Sequence, residues 1–525
     1  MSRGLERLAP AVLGVMLSLC AVSARADTAP SALYSARAQF KYASLLFEQR
    51  HYAMAAREFQ RVIERFPASS YVEGAQFGLA ECYMGRGRYR EAASEYKLFI
   101  RNFPDSPLVE EALRRYVAAL DNDKYKGRHA EPAVSTPTGP RGGSALDSKV
   151  EALRAVQVML FDGRSLGEID AELERLGSSG VNTIIVRVFH NRGDRFHLRA
   201  AGNGPSGVYF RTSHAPVVAD VLGPILSMAH ARGLKVFAWM TTRYADYGLE
   251  GRKDLACRAY DIGRGAVTAC KGLDLFNDEA VAHLEALYAD LAAYDIDGIL
   301  FQDDLVLRHN EGFGKHAERL FRRETGKTLD PKRLFVGYRD SSPAYGGEFW
   351  EWASWKNARL LAVARRLMDT VRERNPGVSF AVNLMYESVT NPPYALAWLS
   401  QNLPAAIEAG FDYFSIMAYQ RQMEKELGLA PEEVEGLIKW MVEEASRLVG
   451  EPRRVLIKLQ TIDWKTREPL PEHRVVELIR WIKARKKVSI AVVPYRAGFP
   501  FGELGAPAGM ALLEPPTTGR SKPPR

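Results

Sequence analysis

Two adjacent carboxylates, Asp303 and Asp304, are the residues of this chain best suited to acid–base chemistry. They lie near the end of the segment Ile296–Leu305, behind an apolar run that predicts a strand buried on both faces. In a parallel (β/α)₈ barrel, active-site residues lie at the carboxyl ends of the strands. Because side chains alternate along a strand, we expect one acid to point into the opening and the other to support it or bind from the rim. A solvated turn, in which Asp is common, is the alternative interpretation.

Strand-like and helix-like stretches alternate eight times between residues 150 and 502. This alternation predicts an α/β fold, specifically a (β/α)₈ or TIM barrel. An open doubly wound sheet is the alternative, but it usually carries a Gly-rich phosphate-binding turn, and Asp162–Ser165 is not one. Among the intervening segments, Pro393–Ala409 is predicted as one helix. The predicted strands are Ala155–Phe161, Val181–Phe189, Leu234–Thr241, Asp297–Phe301, Ser379–Met385, Tyr413–Ala418, Val455–Thr461 and Val488–Pro494.

Polar and aromatic residues at the ends of these strands would surround one opening. Cleaving a glycosidic bond needs an acid that protonates the leaving oxygen, and a second group that acts as nucleophile or base. Aromatic faces can stack on sugar rings, whereas amides and carboxylates bind hydroxyl groups. For Trp239 and Trp464 core packing is the alternative, and for His190 a capped loop. The candidate catalytic residues are Asp303, Asp304, Glu387 and Asp162, and the candidate substrate-binding residues are His190, Asn191, Trp239, Asn383, Tyr419, Gln460, Asp463, Trp464 and Tyr495.

Several other classes of function find no support in the residues. The net charge of +8 arises from 71 basic and 63 acidic residues spread along the chain, and no basic run is interleaved with aromatics, so nucleic-acid binding is not indicated. No spacing of His, Asp and Glu indicates a metal site, and no cofactor is predicted. No Gly-x-Ser-x-Gly elbow indicates acyl hydrolysis.

The segment 31–122 repeats itself with a period of 37 residues. Small and large apolar residues at helical spacing, closed by proline, predict stacked helix pairs. The segment resembles the tetratricopeptide repeats of bacterial envelope proteins, and such a solenoid presents a concave face for a protein partner. A helical spacer is the alternative. The matching positions include Tyr52 with Tyr89, Phe59 with Tyr96, Ile63 with Ile100, and Phe66-Pro67 with Phe103-Pro104.

Residues 1–26 are predicted to be a secretory signal peptide. Arg3 and Arg7 precede the apolar segment Leu8–Val22, and cleavage is expected before Asp27. A lipoprotein signal at Cys20 is the less favoured alternative. No later segment has the ~20 apolar residues that a membrane span needs. The mature protein is therefore expected to be periplasmic or secreted.

Export places the remaining cysteines in an oxidising compartment. Cys257 and Cys270 are thirteen residues apart and are predicted to form a disulfide, while Cys82 is expected to be a buried thiol. Runs of Pro and Gly predict a disordered linker over residues 123–149 and a disordered tail over residues 503–525.

The block Asp297–Asp304 and several shorter motifs give the barrel segment a family resemblance. From about Val156 to Phe501 the chain resembles the C-terminal glycoside hydrolase domain of bacterial poly-β-1,6-N-acetylglucosamine deacetylases, the PgaB family. The resemblance implies a (β/α)₈ barrel that cleaves partially de-N-acetylated poly-N-acetylglucosamine, with its acids at Asp303 and Asp304. The shorter motifs are Gly207–Phe210, Ala219–Val221, Val236–Met240, Ile416–Ala418 and Leu459–Trp464.

The chain departs from that family in three ways. Gln302 stands where the family usually has His, the first strand leaves only Asp162 as an acid, and helical repeats replace the deacetylase domain.

Taken together, the signal peptide, the barrel and the resemblance lead us to expect an exported, endo-acting glycoside hydrolase for an amino-sugar exopolysaccharide of the biofilm type. The second catalytic group is left open among Asp162, Glu387, Asp463 and an N-acetyl group of the substrate. A non-catalytic polysaccharide-binding scaffold is the alternative, and trimming of peptidoglycan is a third hypothesis.

Overall fold

The computed structural model describes residues 35–128, 150–191, 206–249, 251–339, 342–485 and 487–505. The predicted signal peptide lies outside the described residues, as do residues 129–149 of the predicted linker and 506–525 of the predicted tail. The predicted fold class is confirmed: a closed parallel barrel follows a region of helical repeats. In the ranges given above, no helix has the length and hydropathy needed to cross a membrane.

The repeat region is built from antiparallel helix pairs whose small residues allow close packing. Gly78 lies so near the ring of Phe59 that an added Cβ would approach a ring carbon to 2.6 Å. The side chain of Ser35 caps the first helix by accepting a hydrogen bond from the amide of Ala38. The fifth helix runs to Arg128, beyond the predicted start of the linker at residue 123, because Gly and Pro are absent from residues 121–126. The helices are α1 (Ala36–Glu48), α2 (Tyr52–Arg65), α3 (Tyr71–Gly85), α4 (Tyr89–Asn102) and α5 (Val109–Arg128).

The barrel closes because its first strand pairs with both the second and the last. Ala155 is in parallel register with Thr183 on one side and with Ala491 on the other. The barrel order is β1–β2–β5–β8–β11–β12–β13–β14, and the other strands form hairpins outside it. The strands are β1 (Arg154–Val158), β2 (Thr183–Arg187), β3 (Phe189–His190), β4 (Gly207–Val208), β5 (Lys235–Met240), β6 (Ala256–Asp261), β7 (Ala266–Leu273), β8 (Gly298–Phe301), β9 (Phe335–Arg339), β10 (Ser342–Tyr345), β11 (Ser379–Met385), β12 (Tyr413–Met417), β13 (Val455–Gln460) and β14 (Ser489–Val493).

Helices cover the outside of the barrel, and one sequence prediction about them is wrong. Pro393–Ala409 is not a single helix but two, separated at Ser400, whose φ of 51° is left-handed. The side chain of Asn402 then caps the second helix, and Pro404 occupies its first turn. The helices are α6 (Leu166–Ser178), α7 (Leu222–His230), α8 (Asp278–Leu291), α9 (Lys315–Thr325), α10 (Pro331–Leu334), α11 (Phe349–Arg374), α12 (Glu387–Thr390), α13 (Pro392–Leu399), α14 (Leu403–Glu408), α15 (Gln420–Leu427), α16 (Pro431–Val449), α17 (Glu472–Arg485) and α18 (Gly502–Gly505), with a 3₁₀ turn over Pro452–Arg454.

The first repeat helices pack directly on helices of the barrel. Tyr42 of α1 is buried, and its hydroxyl accepts a hydrogen bond from Asn402 at 3.4 Å. Arg61 of α2 forms an ion pair with Glu444 of α16 at 3.5 Å. Apolar residues of α1–α3 belong to the same buried cluster as the barrel core. The first three repeat helices and the barrel therefore share one core, whereas α4 and α5 pack in a second cluster.

The β6–β7 hairpin is cross-linked by a disulfide between Cys257 and Cys270, whose Cα atoms are 5.1 Å apart. Cys82 is a free, buried thiol, and burial raises its pKa to about 12. A buried thiol of this kind is unreactive until the chain unfolds.

These assignments predict a thiol count. A chain that begins at Asp27, unfolded without reductant, is expected to react with one equivalent of a thiol reagent at Cys82, and with three equivalents after reduction. The native protein should react negligibly. Three reactive thiols before reduction would show that the hairpin is not cross-linked.

Candidate active site at the barrel mouth

A small cavity lies at the carboxyl ends of the barrel strands, an end called here the barrel mouth. Its volume is about 40 Å³, enough for about two or three water molecules. A sugar ring is too large to enter this volume, so a saccharide would lie across the opening. The lining combines one acid, one lysine, three amides, two methionines and three aromatic rings. The lining residues are Gln157, Trp239, Asp303, Asn383, Met385, Met417, Tyr419, Gln422, Lys458 and Trp464.

Asp303 is the carboxylate in this cavity, and it is paired electrostatically with a lysine. Burial raises the pKa of Asp303 above its usual value, and the positive charge of Lys458 opposes part of that rise. Lys458 is 1% exposed, and burial lowers its pKa while Asp303 opposes the change. Its ammonium donates to the Oδ1 atom of Asn383 at 3.1 Å and lies 5.9 Å from the ring centre of Tyr419. Burial thus shifts the two pKa values toward each other, while the attraction between the two groups opposes both shifts.

Asp304 faces a different environment and is completely buried. Its carboxylate accepts hydrogen bonds from the hydroxyl of Thr241 at 2.6 Å, the hydroxyl and amide of Thr242, and the amide of Tyr244 at 2.8 Å. Within the same loop, Arg243 is buried in an ion pair with Glu311. Asp304 therefore fastens the loop after β5 to the end of β8 and is enclosed rather than open to the cavity.

Loss of the Asp304 carboxylate should therefore destabilise the fold. Asp304→Ala leaves several buried donors unpaired, and we expect a loss of about 3 kcal/mol in the free energy of unfolding. Denaturant titration measures it. Asp162→Ala, which removes an exposed aspartate at the same end of the barrel, is the matched control and should change the free energy by less than about 0.5 kcal/mol. Equal stability of the two variants would contradict the role assigned to Asp304.

Four of the sequence-predicted residues join Asp303 at the cavity, namely Trp239, Asn383, Tyr419 and Trp464. Tyr419 and Trp464 pack edge to face with ring centres 5.4 Å apart, forming an aromatic wall. These residues come from the ends of β5, β11, β12 and β13. The parallel barrel therefore brings together residues that are far apart in the sequence.

Two further candidate acids do not line this cavity. Glu387 begins helix α12 and is buried, and its pKa is raised well above the usual range, first by burial and then by Glu426. Asp463 lines a separate cavity between α15, α16 and α17. Burial alone would raise the pKa of Asp463, but hydrogen bonds from Lys425, two backbone amides and Arg421 hold it well below its usual value. A carboxylate held in this way is a poor proton donor.

The other predicted residues do not line this cavity: four make local contacts within the described part of the chain, and Asp162 is exposed. The Nδ1 atom of His190 lies 2.8 Å from the hydroxyl of Tyr209, and Asn191 accepts from Tyr247 at 3.3 Å. Gln460 is buried and donates to the carbonyl of Ile462 at 2.6 Å. Tyr495 packs against Phe161 and Phe501. Asp162 is exposed where the chain leaves β1.

Five cavity residues were missed by the sequence prediction: Gln157, Met385, Met417, Gln422 and Lys458. Two of them carried a readable signal, because Gln157 and Lys458 interrupt otherwise apolar strands. A polar side chain in a buried strand needs a partner inside the barrel. For the two methionines there was no such signal, since they look like ordinary core residues. Among the described residues, no group of three or more His, Cys, Asp or Glu side chains is arranged to hold a metal ion.

Comparison with known proteins assigns both parts of the chain. The model of a family described as "Hypothetical glycosyl hydrolase family 13" matches residues 164–492. The model of YfiO, described as an outer membrane lipoprotein, matches residues 27–133. No curated protein matches the chain.

Solved structures also resemble the barrel. The PgaB (BpsB) glycoside hydrolase domain from Bordetella bronchiseptica is 20% identical, with a TM-score of 0.54, covering 65% of this chain and 94% of that one. The catalytic domain of a β-amylase from Paenibacillus polymyxa is 13% identical, with a TM-score of 0.41, covering 68% and 94%. A β-galactosidase from Marinomonas ef1 is 12% identical, with a TM-score of 0.45, covering 65% and 54%. The resemblance to the PgaB glycoside hydrolase domain is therefore confirmed at the level of the fold.

Proposed function

The chain belongs to the family described as hypothetical glycosyl hydrolase family 13, and on this premise we propose that it is an exported hydrolase of an amino-sugar polysaccharide. The observation that carries the proposal is Asp303, a partly buried acid with a raised pKa that lines the barrel mouth together with the aromatic wall. The wall of Tyr419 and Trp464 offers ring faces and edges to a sugar chain. An open mouth suits endo-cleavage, because a polymer can lie across it.

Asp303 acts as the general acid. Its raised pKa keeps the carboxyl protonated to higher pH than an ordinary aspartate, so it can give a proton to the leaving glycosidic oxygen. Lys458 acts through Asp303 as a positioning residue, because its charge limits how far the pKa rises. Asn383 in turn holds the ammonium of Lys458.

The second catalytic group is Asp162 in this proposal. Glu387 is enclosed with a raised pKa, and Asp463 is held by cationic side chains at another cavity. Asp162 is exposed after β1, the strand that also supplies Gln157 to the cavity. As an exposed carboxylate it can take a proton from an attacking water.

Replacing Asp303 separates catalysis from binding. Asp303→Asn is expected to reduce the release of reducing ends from poly-N-acetylglucosamine by at least about 100-fold, because an amide cannot donate the acid's proton in its place. Polymer binding should survive, as measured by retention in affinity electrophoresis. Asp254→Asn, an exposed aspartate on a surface loop, is the control and should retain full activity. A protein that binds the polymer but releases no ends even when unmodified would instead be a polysaccharide-binding scaffold.

Replacing Lys458 should shift the pH profile. In Lys458→Met the opposing positive charge is lost, so the pKa of Asp303 rises further and the alkaline limb of kcat/KM moves to higher pH. Lys425→Met, which removes a partner of Asp463 instead, should leave that limb in place. If the alkaline limb of Lys458→Met is unchanged or moves to lower pH, the electrostatic pairing of Lys458 with Asp303 is contradicted.

The helical repeats dock the enzyme to a protein of the envelope or export machinery in this proposal. Helices α1 and α2 are already occupied by the barrel, whereas α5 exposes Leu113 (45%) and Val117 (54%) one helical turn apart. An exposed apolar pair on the last repeat helix suits a protein contact. The match of residues 27–133 to an outer membrane lipoprotein family supports an envelope location.

The apolar pair on α5 can be tested in cells. The double variant Leu113→Asp and Val117→Asp is expected to lose co-fractionation with the envelope, while its melting temperature and catalytic rate stay unchanged. The matched control is Val267→Asp, which changes a similarly exposed valine on the β6–β7 hairpin. Unchanged co-fractionation of the double variant would contradict docking through this face.

A further inference from the structure

We propose that the sugar unit bound over Asp303 carries an N-acetyl group, which is recognised by Gln157 and Trp239. This inference rests on the proposed function and deepens it, because it names the acetylation state that the site accepts. The ligand class is a neutral N-acetylated hexosamine chain rather than one with free amines.

The first observation is a pair of unsatisfied polar atoms in the cavity lining. The Oε1 atom of Gln157 and the Nε1 atom of Trp239 are buried and have no hydrogen-bond partner among the described residues. Both side chains line the cavity, and the residues are only 2% and 5% exposed. One atom is an acceptor and the other a donor. An acetamido group supplies the complement, since its N–H donates to Gln157 and its carbonyl accepts from Trp239.

The second observation is the charge balance of the cavity. Asp303 and Lys458 are the acid and the base among the described residues that line it, and they balance one another. The ammonium of a free glucosamine unit would meet Lys458 with no further carboxylate in the described lining to compensate it. Burying a cation without a counter-charge is costly, whereas a neutral amide carries no such cost.

The third observation is the apolar part of the lining. Met385 and Met417 are neighbours in the parallel register of β11 and β12, and both line the cavity. Flexible thioether side chains adapt their shape to small apolar groups. They offer a contact surface for the acetyl methyl, which a free amine lacks.

The test compares two hexamers of β-linked glucosamine, one fully N-acetylated and one fully de-N-acetylated, each in 1,6 and in 1,4 linkage. Calorimetric binding to the Asp303→Asn protein avoids turnover during the measurement. We expect the acetylated hexamer of the accepted linkage to bind at least about tenfold more tightly than its free-amine counterpart. Trp239→Phe keeps an aromatic ring, although a smaller one, and removes the donor, so it should weaken acetylated-hexamer binding about 5- to 10-fold while leaving free-amine binding unchanged. Gln157→Leu should act in the same direction.

Trp440→Phe is the matched control, because it makes the same change on the exposed face of α16 and should leave both affinities unchanged. Melting temperatures of all variants establish that they are folded. Equal or tighter binding of the free-amine hexamer, or an affinity ratio that neither Trp239→Phe nor Gln157→Leu alters, would overturn the inference. If the free-amine hexamer binds equally well or better and the unmodified enzyme cleaves it, the inference is overturned but the proposed hydrolase is supported. If neither hexamer is bound or cleaved, both the inference and the proposed hydrolase are overturned.

Discussion

The pairing of a partly buried carboxylate, Asp303, with the buried ammonium of Lys458 is the constraint on which the candidate site depends. A carboxylate and an ammonium lie at the same end of a largely apolar barrel, and desolvation disfavours the charged form of each. Their mutual attraction offsets part of that cost. The result is a proton donor at the mouth whose protonation depends on a lysine of β13, three strands away from β8 in the barrel order. The side-chain amide of Asn383 accepts a hydrogen bond from Lys458 and so helps to hold the lysine in this arrangement.

Two adjacent acids divide the structural and the chemical tasks. Asp304 is enclosed and binds the loop after β5, which begins two residues beyond Trp239. Asp303 is left to line the cavity with that tryptophan. The network around Asp304 therefore fixes the relative positions of β5 and β8, the strands that present these two cavity residues. A rigid support of this kind is what a general acid requires, because proton transfer depends on distance.

The fold could be predicted because the alternation of apolar strands with amphipathic helices is a local property of the sequence. The site was harder, because its residues meet only after closure of the barrel. Trp239, Tyr419 and Trp464 were anticipated from their places at strand ends. Lys458 and Gln157 were not predicted, because they lie within strands rather than at strand ends. The position of a strand end in the sequence does not show which residues further inside the strand reach the cavity. Asp463 lies near a strand end as well, yet its loop turns toward neighbouring helices and their cations.

The central claim is that Asp303 holds a proton at the barrel mouth at a pH where an ordinary aspartate does not. Selective ¹³C labelling of aspartate carboxyl carbons, with Asp303→Asn to assign the signal, measures this directly. The account predicts that the Asp303 carbon titrates clearly above the ~4 of an exposed aspartate. It also predicts that its midpoint moves higher still in Lys458→Met. Titration of Asp303 at or below the ordinary value would contradict the account.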